Sequence, residues 1–376
     1  MKKKLKMKKI IPILLTFLIL GCSNPSETIF PTDKWMVEKP EKVGIESKYL
    51  TEAVNFLELN SGRNGCQELM IVRGGRLIHK GDSVNKVHGI WSCTKSFTST
   101  VLGLLIDDKR AQLSTFAKNI VPEMTEIYPL VTLSHFATMT SGYKAVGDTA
   151  KKGYTHGSSK TPFIPGIQSL FAPGTKYAYW DAAMNQFANI LTRISKEPLN
   201  EFFKRRIADP IGMNENEWYW PDFGEIDGIK VVGGAGNAGK NIFISANEMA
   251  RFGLLFLNNG NWNGNQLISR DWIKQATKVQ VPPSMELGSP LSNIDGVGVY
   301  GFNWWVNGIR PNGIRLWPDA PVSTYAASGY NNNKMFIIPE WNMVIVRLGL
   351  DESDVAISED IWNEFLKKIS DSIKNE

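Results

Sequence analysis

Strand-forming segments sit at both ends of this 376-residue chain and helix-forming ones fill its middle, so the fold must bring distant ends together. Early on, Leu69-Met70-Ile71-Val72-Arg73 and Arg76-Leu77-Ile78-His79 flank Gly74-Gly75, the pattern of a β-hairpin with a two-residue turn. Late in the chain, residues 300–306, 323–327, 334–338 and 343–348 are short and rich in β-formers. Helical patterns fall at 133–139, 181–195, 200–207 and 246–258, and amphipathic spacing predicts flanking helices over 46–59 and 358–373. An α+β fold follows: one antiparallel sheet built from both ends and flanked by the terminal helices. Residues 41–107 and 290–376 would form this lobe and 108–289 an inserted, mostly helical one, with a site expected at their junction.

The first 21 residues read as an export signal. Lys2, Lys3, Lys4, Lys6, Lys8 and Lys9 precede an apolar run over 10–20 that is shorter than the roughly 20 residues a membrane span needs. Ile19-Leu20-Gly21-Cys22 resembles a lipobox, which predicts lipidation of Cys22, and the polar stretch 22–40 reads as a tether. The formal charge of +5 loses its meaning once those six lysines are removed, since 36 basic residues then face 37 acidic ones, a net −1. Nothing in that balance points to nucleic acid. Cys66 and Cys93 remain, and spacing alone cannot establish a disulfide between them. His79, His88, His135 and His156 have no metal-ligand spacing, so neither a metal nor another cofactor is expected.

The chemistry concentrates in Ser92-Cys93-Thr94-Lys95, directly before Ser96-Phe97 and the apolar run 101–106. A serine and a lysine three apart at a helix start share a face, with Cβ atoms about 5–6 Å apart. The amine can then help remove the serine proton, and the helix N-terminus offers N–H groups where an oxyanion would form. Two further Ser-x-x-Lys sequences, Ser83 to Lys86 and Ser141 to Lys144, lie in a polar stretch and at a glycine turn, whereas Ser92 opens a long buried-type helix. Cys93 suits a small buried side chain; no histidine is placed by sequence to activate it.

Several ordered motifs add to this reading: 90–97, 132–142, Pro173-Gly174-Thr175-Lys176-Tyr177-Ala178-Tyr179, Asp209-Pro210-Ile211-Gly212-Met213, 246–253 and Ala327-Ser328-Gly329-Tyr330. Together they resemble the β-lactamase-related serine hydrolases, which include class C β-lactamases, D-alanyl-D-alanine carboxypeptidases, esterases and 6-aminohexanoate-oligomer hydrolases. The resemblance implies a β-lactamase/transpeptidase-like fold over 41–376. It makes Ser92 the nucleophile, Lys95 and Tyr179 the proton-handling pair, and the backbone N–H groups of Ser92 and Tyr330 the oxyanion hole.

Two positions depart from the family pattern. Asp181 stands where the family commonly has Asn, and a carboxylate there would pair with Lys95 and raise the Tyr179 pKa. Ala327, in Ala327-Ser328-Gly329, offers no cation where many members carry Lys or His, which argues against carboxylate-bearing substrates. Ser328 and Gly329 would border the substrate, and Asn331-Asn332-Asn333 reads as a polar turn beside it. The expectation is a lipid-anchored hydrolase of the bacterial cell envelope that cleaves a small ester or amide through an acyl-enzyme. The alternatives are a D-Ala-D-Ala carboxypeptidase or β-lactamase, and a catalytically silent envelope binding protein of the same fold.

Overall fold

A computed structural model of the protein describes residues 28–151, 154–288, 294–351 and 356–374. The signal segment, Cys22 and the start of the expected tether lie outside these residues.

Seven strands form the main sheet: β1 (Met36–Val37), β2 (Glu68–Arg73), β3 (Arg76–Lys80), β4 (Trp305–Val306), β5 (Tyr325–Gly329), β6 (Asn333–Ile338) and β7 (Met343–Leu348). Their spatial order is β1-β3-β2-β7-β6-β5-β4, with every pair antiparallel except β1 and β3. The ends of the chain meet at β2 and β7, where Ile71 pairs with Ile345. The β2–β3 turn places Gly74 and Gly75 at positive φ (56° and 76°), as a two-residue hairpin requires.

Among the described residues eight helices cover or extend this sheet: α1 (Ser47–Asn60), α2 (Thr94–Asp107), α3 (Leu133–Ala137), α4 (Asp181–Ser195), α5 (Leu199–Phe203), α6 (Ala246–Leu257), α7 (Arg270–Ala276) and α8 (Glu359–Asp371). On one face α1 packs against α8; Leu50, Ala53 and Leu57 meet Trp362, Phe365, Leu366 and Ile369 over Met343 and Ile345. On the other face Val344, Val346 and Leu348 join the core that surrounds α2 and α6. A strand covered on both sides reads as a near-continuous apolar run, which is why Met343–Leu348 lacks alternation.

The structure corrects two expected boundaries. The inserted lobe does not extend to 289, because α6 lies across β2, β6 and β7 and shares a core with Met335 and Val344. The described part of the tether is structural: β1 pairs with β3, Ile29 N–H donates to Gly74 O at 3.0 Å, and buried Arg251 donates to the carbonyls of Pro31 and Asp33. The middle of the chain also carries short strand pairs beside its helices, Ala145–Val146 with Thr161–Pro165 and Asp222–Ile226 with Ile229–Val232. Of the expected run 300–306, Trp305–Val306 alone enters the main sheet.

Helix α2 sits at the junction of the two lobes and is buried over most of its length. Its polar residues are satisfied inside the core. Ser96 and Ser99 donate to the carbonyls of Asn303 and Phe302, and Thr98 donates to Gly234 O. Buried hydroxyls with partners cost little, so a helix start rich in Ser and Thr can occupy a core.

Candidate active site

Ser92 occupies a tight 3-10 turn (Trp91–Cys93) that leads into α2. Trp91, directly before it, has φ +50°, a conformation that side chains other than glycine adopt only when their surroundings force it. The turn is held from the strand Phe243–Ile244 and the segment before it. Asn241 Oδ1 accepts from Trp91 N–H at 3.0 Å, Ile90 N–H donates to Ile242 O, and Ile242 N–H donates to Thr94 Oγ1. Ser92 is therefore presented half-buried on a rigid turn.

One helical turn on, buried Lys95 places Nζ 2.9 Å from Ser92 Oγ, 2.6 Å from Ala235 O and 2.8 Å from Asp181 Oδ1. Lys95 thus donates hydrogen bonds to Ser92 Oγ and to the Ala235 carbonyl, which can only accept, and pairs with the Asp181 carboxylate. Its Nζ also lies 4.5 Å from the centre of the Tyr179 ring. The Tyr179 phenol is hydrogen-bonded to Ser92. Burial, and then the Asp181 carboxylate, hold that phenol well above the ordinary tyrosine range against the opposing effect of the Ser92 bond. At neutral pH Tyr179 is a neutral phenol.

Tyr179-Trp180-Asp181 is the lead-in to α4, and Trp180 anchors it. Its indole N–H donates to Asp148 Oδ2 at 2.6 Å, while burial, the largest influence on that carboxyl, raises the Asp148 pKa. The next turn of α4 supplies Asn185, whose Oδ1 accepts from Ala235 N–H at 3.1 Å and whose Nδ2 donates to Asn237 at 2.9 Å. Asn185 thus fixes the carbonyl that receives Lys95. Ala235 belongs to Gly233-Gly234-Ala235-Gly236-Asn237, a stretch laid directly on the nucleophile turn. A Cβ on Gly236 would lie 2.1 Å from Trp91 O, and its φ is +91°. Neither Asn185 nor this glycine-rich stretch was singled out by the sequence, although the glycine density of 233–239 was a visible signal of close backbone approach.

The facing wall is the end of β5. A Cβ on Gly329 would fall 2.2 Å from Ile90 O and 3.2 Å from Ser92 N, so only glycine lets the strand lie this close to the nucleophile. Tyr330 follows, half-exposed, its ring 5.2 Å from Trp91 in an edge-on contact. Ala327 is 1% exposed and packs into the core around α2, leaving a wall without a cation there. Ser328 is placed differently from its sequence expectation beside the substrate. It pairs with Lys334, whose Nζ sits over Trp317, Phe336 and Trp362 and bonds Glu359 at 2.7 Å, on the α8 face of the sheet. Cross-strand partners share a face, so Ser328 points away from Ser92.

Asn331 and Asn332 take positive φ (63° and 58°) and form the β5–β6 turn, the polar-turn role expected of them. Buried Arg347 pins this turn, donating to Asn331 O and pairing with Asp351 at 2.6 Å. Cys66 and Cys93 are free and buried, and burial pushes both thiols up to about 12, so neither serves as a nucleophile at neutral pH. Among the described residues no group of three or more His, Cys, Asp or Glu side chains could hold a metal, and no helix is long and apolar enough to cross a membrane.

A beta-lactamase family model matches residues 61–351. The chain belongs to the beta-lactamase family. It is 24% identical over 230 residues to an uncharacterized protein of Alkalihalophilus pseudofirmus, a match covering 57% of this chain and 59% of that relative's length. Among solved structures, a candidate 6-aminohexanoate-dimer hydrolase from Bacillus anthracis superposes with TM-score 0.62 at 18% identity, covering 92% of this chain and 88% of that one. A penicillin-binding protein homologue from Caulobacter crescentus gives 0.63 at 14% identity, covering 88% and 99%. A family VIII carboxylesterase gives 0.59 at 14% identity, covering 88% and 98%. These likenesses establish the β-lactamase/transpeptidase-like fold, in a family that consists largely of serine hydrolases.

Proposed function

We propose that this protein is a serine hydrolase that cleaves a small ester or amide through an acyl-enzyme on Ser92. The carrying observation is the convergence of Lys95 and Tyr179 on the Ser92 hydroxyl, with Lys95 held in place by Asp181 and Ala235. As Ser92 Oγ attacks the carbonyl, its proton passes to Tyr179 Oη while the phenol proton moves to the departing group. A relay of this kind suits a neutral phenol, which gives one proton as it takes another. The Lys95 ammonium stabilises charge building on Oγ. The backbone N–H groups of Ser92 and Tyr330 would receive the oxyanion, each such donor contributing about 3–4 kcal/mol in the transition state.

Carboxypeptidase and β-lactamase activity fit less well. Both substrates carry a carboxylate, and the wall at buried Ala327 has no cation to receive one. A silent binding protein has no need of a strained turn that presents an oxygen to a lysine at 2.9 Å. A fluorophosphonate probe is expected to label the wild-type protein on Ser92 and to leave Ser92→Ala unlabelled; equal labelling of both, or of neither, would overturn the assignment.

The same reading places the enzyme outside the cytoplasm, anchored through a lipid on Cys22, with residues 28–40 docking it against β3 and α6 rather than swinging free. Full-length protein expressed in a bacterial host should sediment with membranes, and Cys22→Ala should move it to the soluble fraction. An unchanged membrane fraction for Cys22→Ala would contradict the lipid anchor.

A further inference from the structure

The N-terminal segment enters the fold at one end of the main sheet. Ile29 N–H donates to Gly74 O in the β2–β3 turn, and Gly74 N–H donates to Asn342 O at 2.8 Å in the β6–β7 connection. Phe30 sets its ring 5.0 Å from Trp262. Ser92 lies at the other end: Gly329, which closes β5, abuts its turn, whereas Tyr325, which opens β5, pairs with Ile337 close to the β6–β7 connection. Four steps of about 3.3 Å separate these two ends of β5.

A cavity of about 460 Å³ opens at the N-terminal segment's end of the sheet. It takes in Pro339, where the β6–β7 connection starts, and Asn259, three residues before Trp262. Leu257, Ile273, Val306 and Tyr325 give it an apolar floor, and Val279 and Val322 line it while 40% and 63% exposed. The charged residues of the lining are Lys274, Lys278 and Arg315, all cations. Among the described residues none of the three pairs with a carboxylate, although Arg315 donates to Asn307 O. The Glu340 carboxylate beside the cavity is taken up by the N–H and hydroxyl of Ser323. An apolar trough edged by three unneutralised cations matches an anionic headgroup carrying acyl chains.

We propose that this cavity seats an anionic phospholipid, so that the turn end of the sheet lies on the bilayer and Ser92 faces away from it. The orientation rests on lipidation of Cys22 as proposed above. The six steps from Cys22 to residue 28 span about 20 Å at full extension, so the anchor brings the bilayer surface to this end of the molecule. Lysines held there are drawn to anionic headgroups, an attraction that salt screens. The exposed valines enter the boundary between headgroups and acyl chains. Substrate then reaches Ser92 from water rather than from the bilayer.

Full-length protein, purified in detergent and returned to phosphatidylcholine vesicles with or without phosphatidylglycerol, tests this. Val322→Cys can carry a bimane label selectively, because Cys66 and Cys93 are buried. A nitroxide carried by the lipids quenches a label that touches the bilayer. Most of the Val322→Cys fluorescence should be lost with phosphatidylglycerol. It should return without that lipid, at high salt, or when Lys274→Glu and Lys278→Glu are added. Lys48→Glu with Lys160→Glu, an equal change of charge at two other exposed lysines, should leave the quenching intact. A label on Tyr330→Cys, at the Ser92 end, should stay bright throughout. A Val322→Cys label equally bright with and without phosphatidylglycerol, or quenching that survives Lys274→Glu and Lys278→Glu, would overturn the lipid site. Vesicle flotation of the wild type separates this from the anchor. A lipidated protein floats with both vesicle types; flotation with phosphatidylglycerol vesicles alone would keep the site and remove the anchor, and flotation with neither would remove both.

Discussion

Lys95→Met is expected to abolish acylation and to destabilise the fold by roughly 3–5 kcal/mol, the cost of leaving one partner of a buried ion pair behind. Asp181 is 3% exposed, and its carboxylate faces Lys95 at 2.8 Å in the core between α2 and α4. Without the ammonium it must be buried as a bare charge or take up a proton. The companion chain, Lys95→Met with Asp181→Leu, should recover most of the lost stability, since replacing both members of a buried pair by apolar groups is often neutral or favourable. It should remain inactive, because no cation then polarises the Ser92 hydroxyl or steadies the charge that builds on Oγ. Urea unfolding of the two single variants and the double variant completes the cycle. A double variant as unstable as Lys95→Met would show that Lys95 matters to the fold through contacts other than Asp181.

Asp181→Asn should act in the opposite sense on the chemistry. The carboxylate is the second largest influence holding the Tyr179 phenol above its ordinary range, after burial. An amide there can still accept from Lys95 but carries no negative charge. The Lys95 cation 4.5 Å from the ring is then uncompensated and draws the phenol pKa down. A phenol nearer its ordinary range gives its proton to the departing group more readily as it takes the one from Ser92, so the relay should run faster. At pH 7 acylation should gain part of the roughly 10²–10⁴-fold that a positioned proton-transfer group can supply. Burying the lysine without its counter-charge should cost stability at the same time. Single-turnover acylation measured across pH decides the matter; an unchanged profile would mean that Asp181 does not control Tyr179.

The parts of this protein that could be read from its sequence are those written in local spacing. Gly74-Gly75 between two β-rich runs gave the hairpin, and the apolar stripe from Trp362 to Ile369 gave a helix that packs on the sheet. The Lys95–Asp181 pair was also legible, because two motif residues of opposite charge were expected at one point. The contacts that fix the site between its motifs were not. Asn185 reaches Lys95 only through Ala235, 50 residues further along the chain, and Gly236 matters because the backbone of Trp91 lies against it. No periodicity records such meetings. His156 looked like one of four scattered histidines until the strand Tyr154–Ser158 set it across Tyr179. Ser328 shows the reverse error: it lies within a motif, but strand alternation turns its side chain to the far face of the sheet. The extent of the inserted lobe failed for a similar reason, since the helical pattern of α6 does not say which layer the helix covers.

The most direct test of the central claim is the mass of the intact protein, quenched with acid within seconds of adding p-nitrophenyl butyrate. Wild type should show a single added butyryl group that peptide mapping places on Ser92 and that disappears as substrate is exhausted, while Ser92→Ala stays unmodified. A folded wild-type protein that turns the ester over with no adduct, or carries the adduct on another residue, would contradict an acyl-enzyme on Ser92.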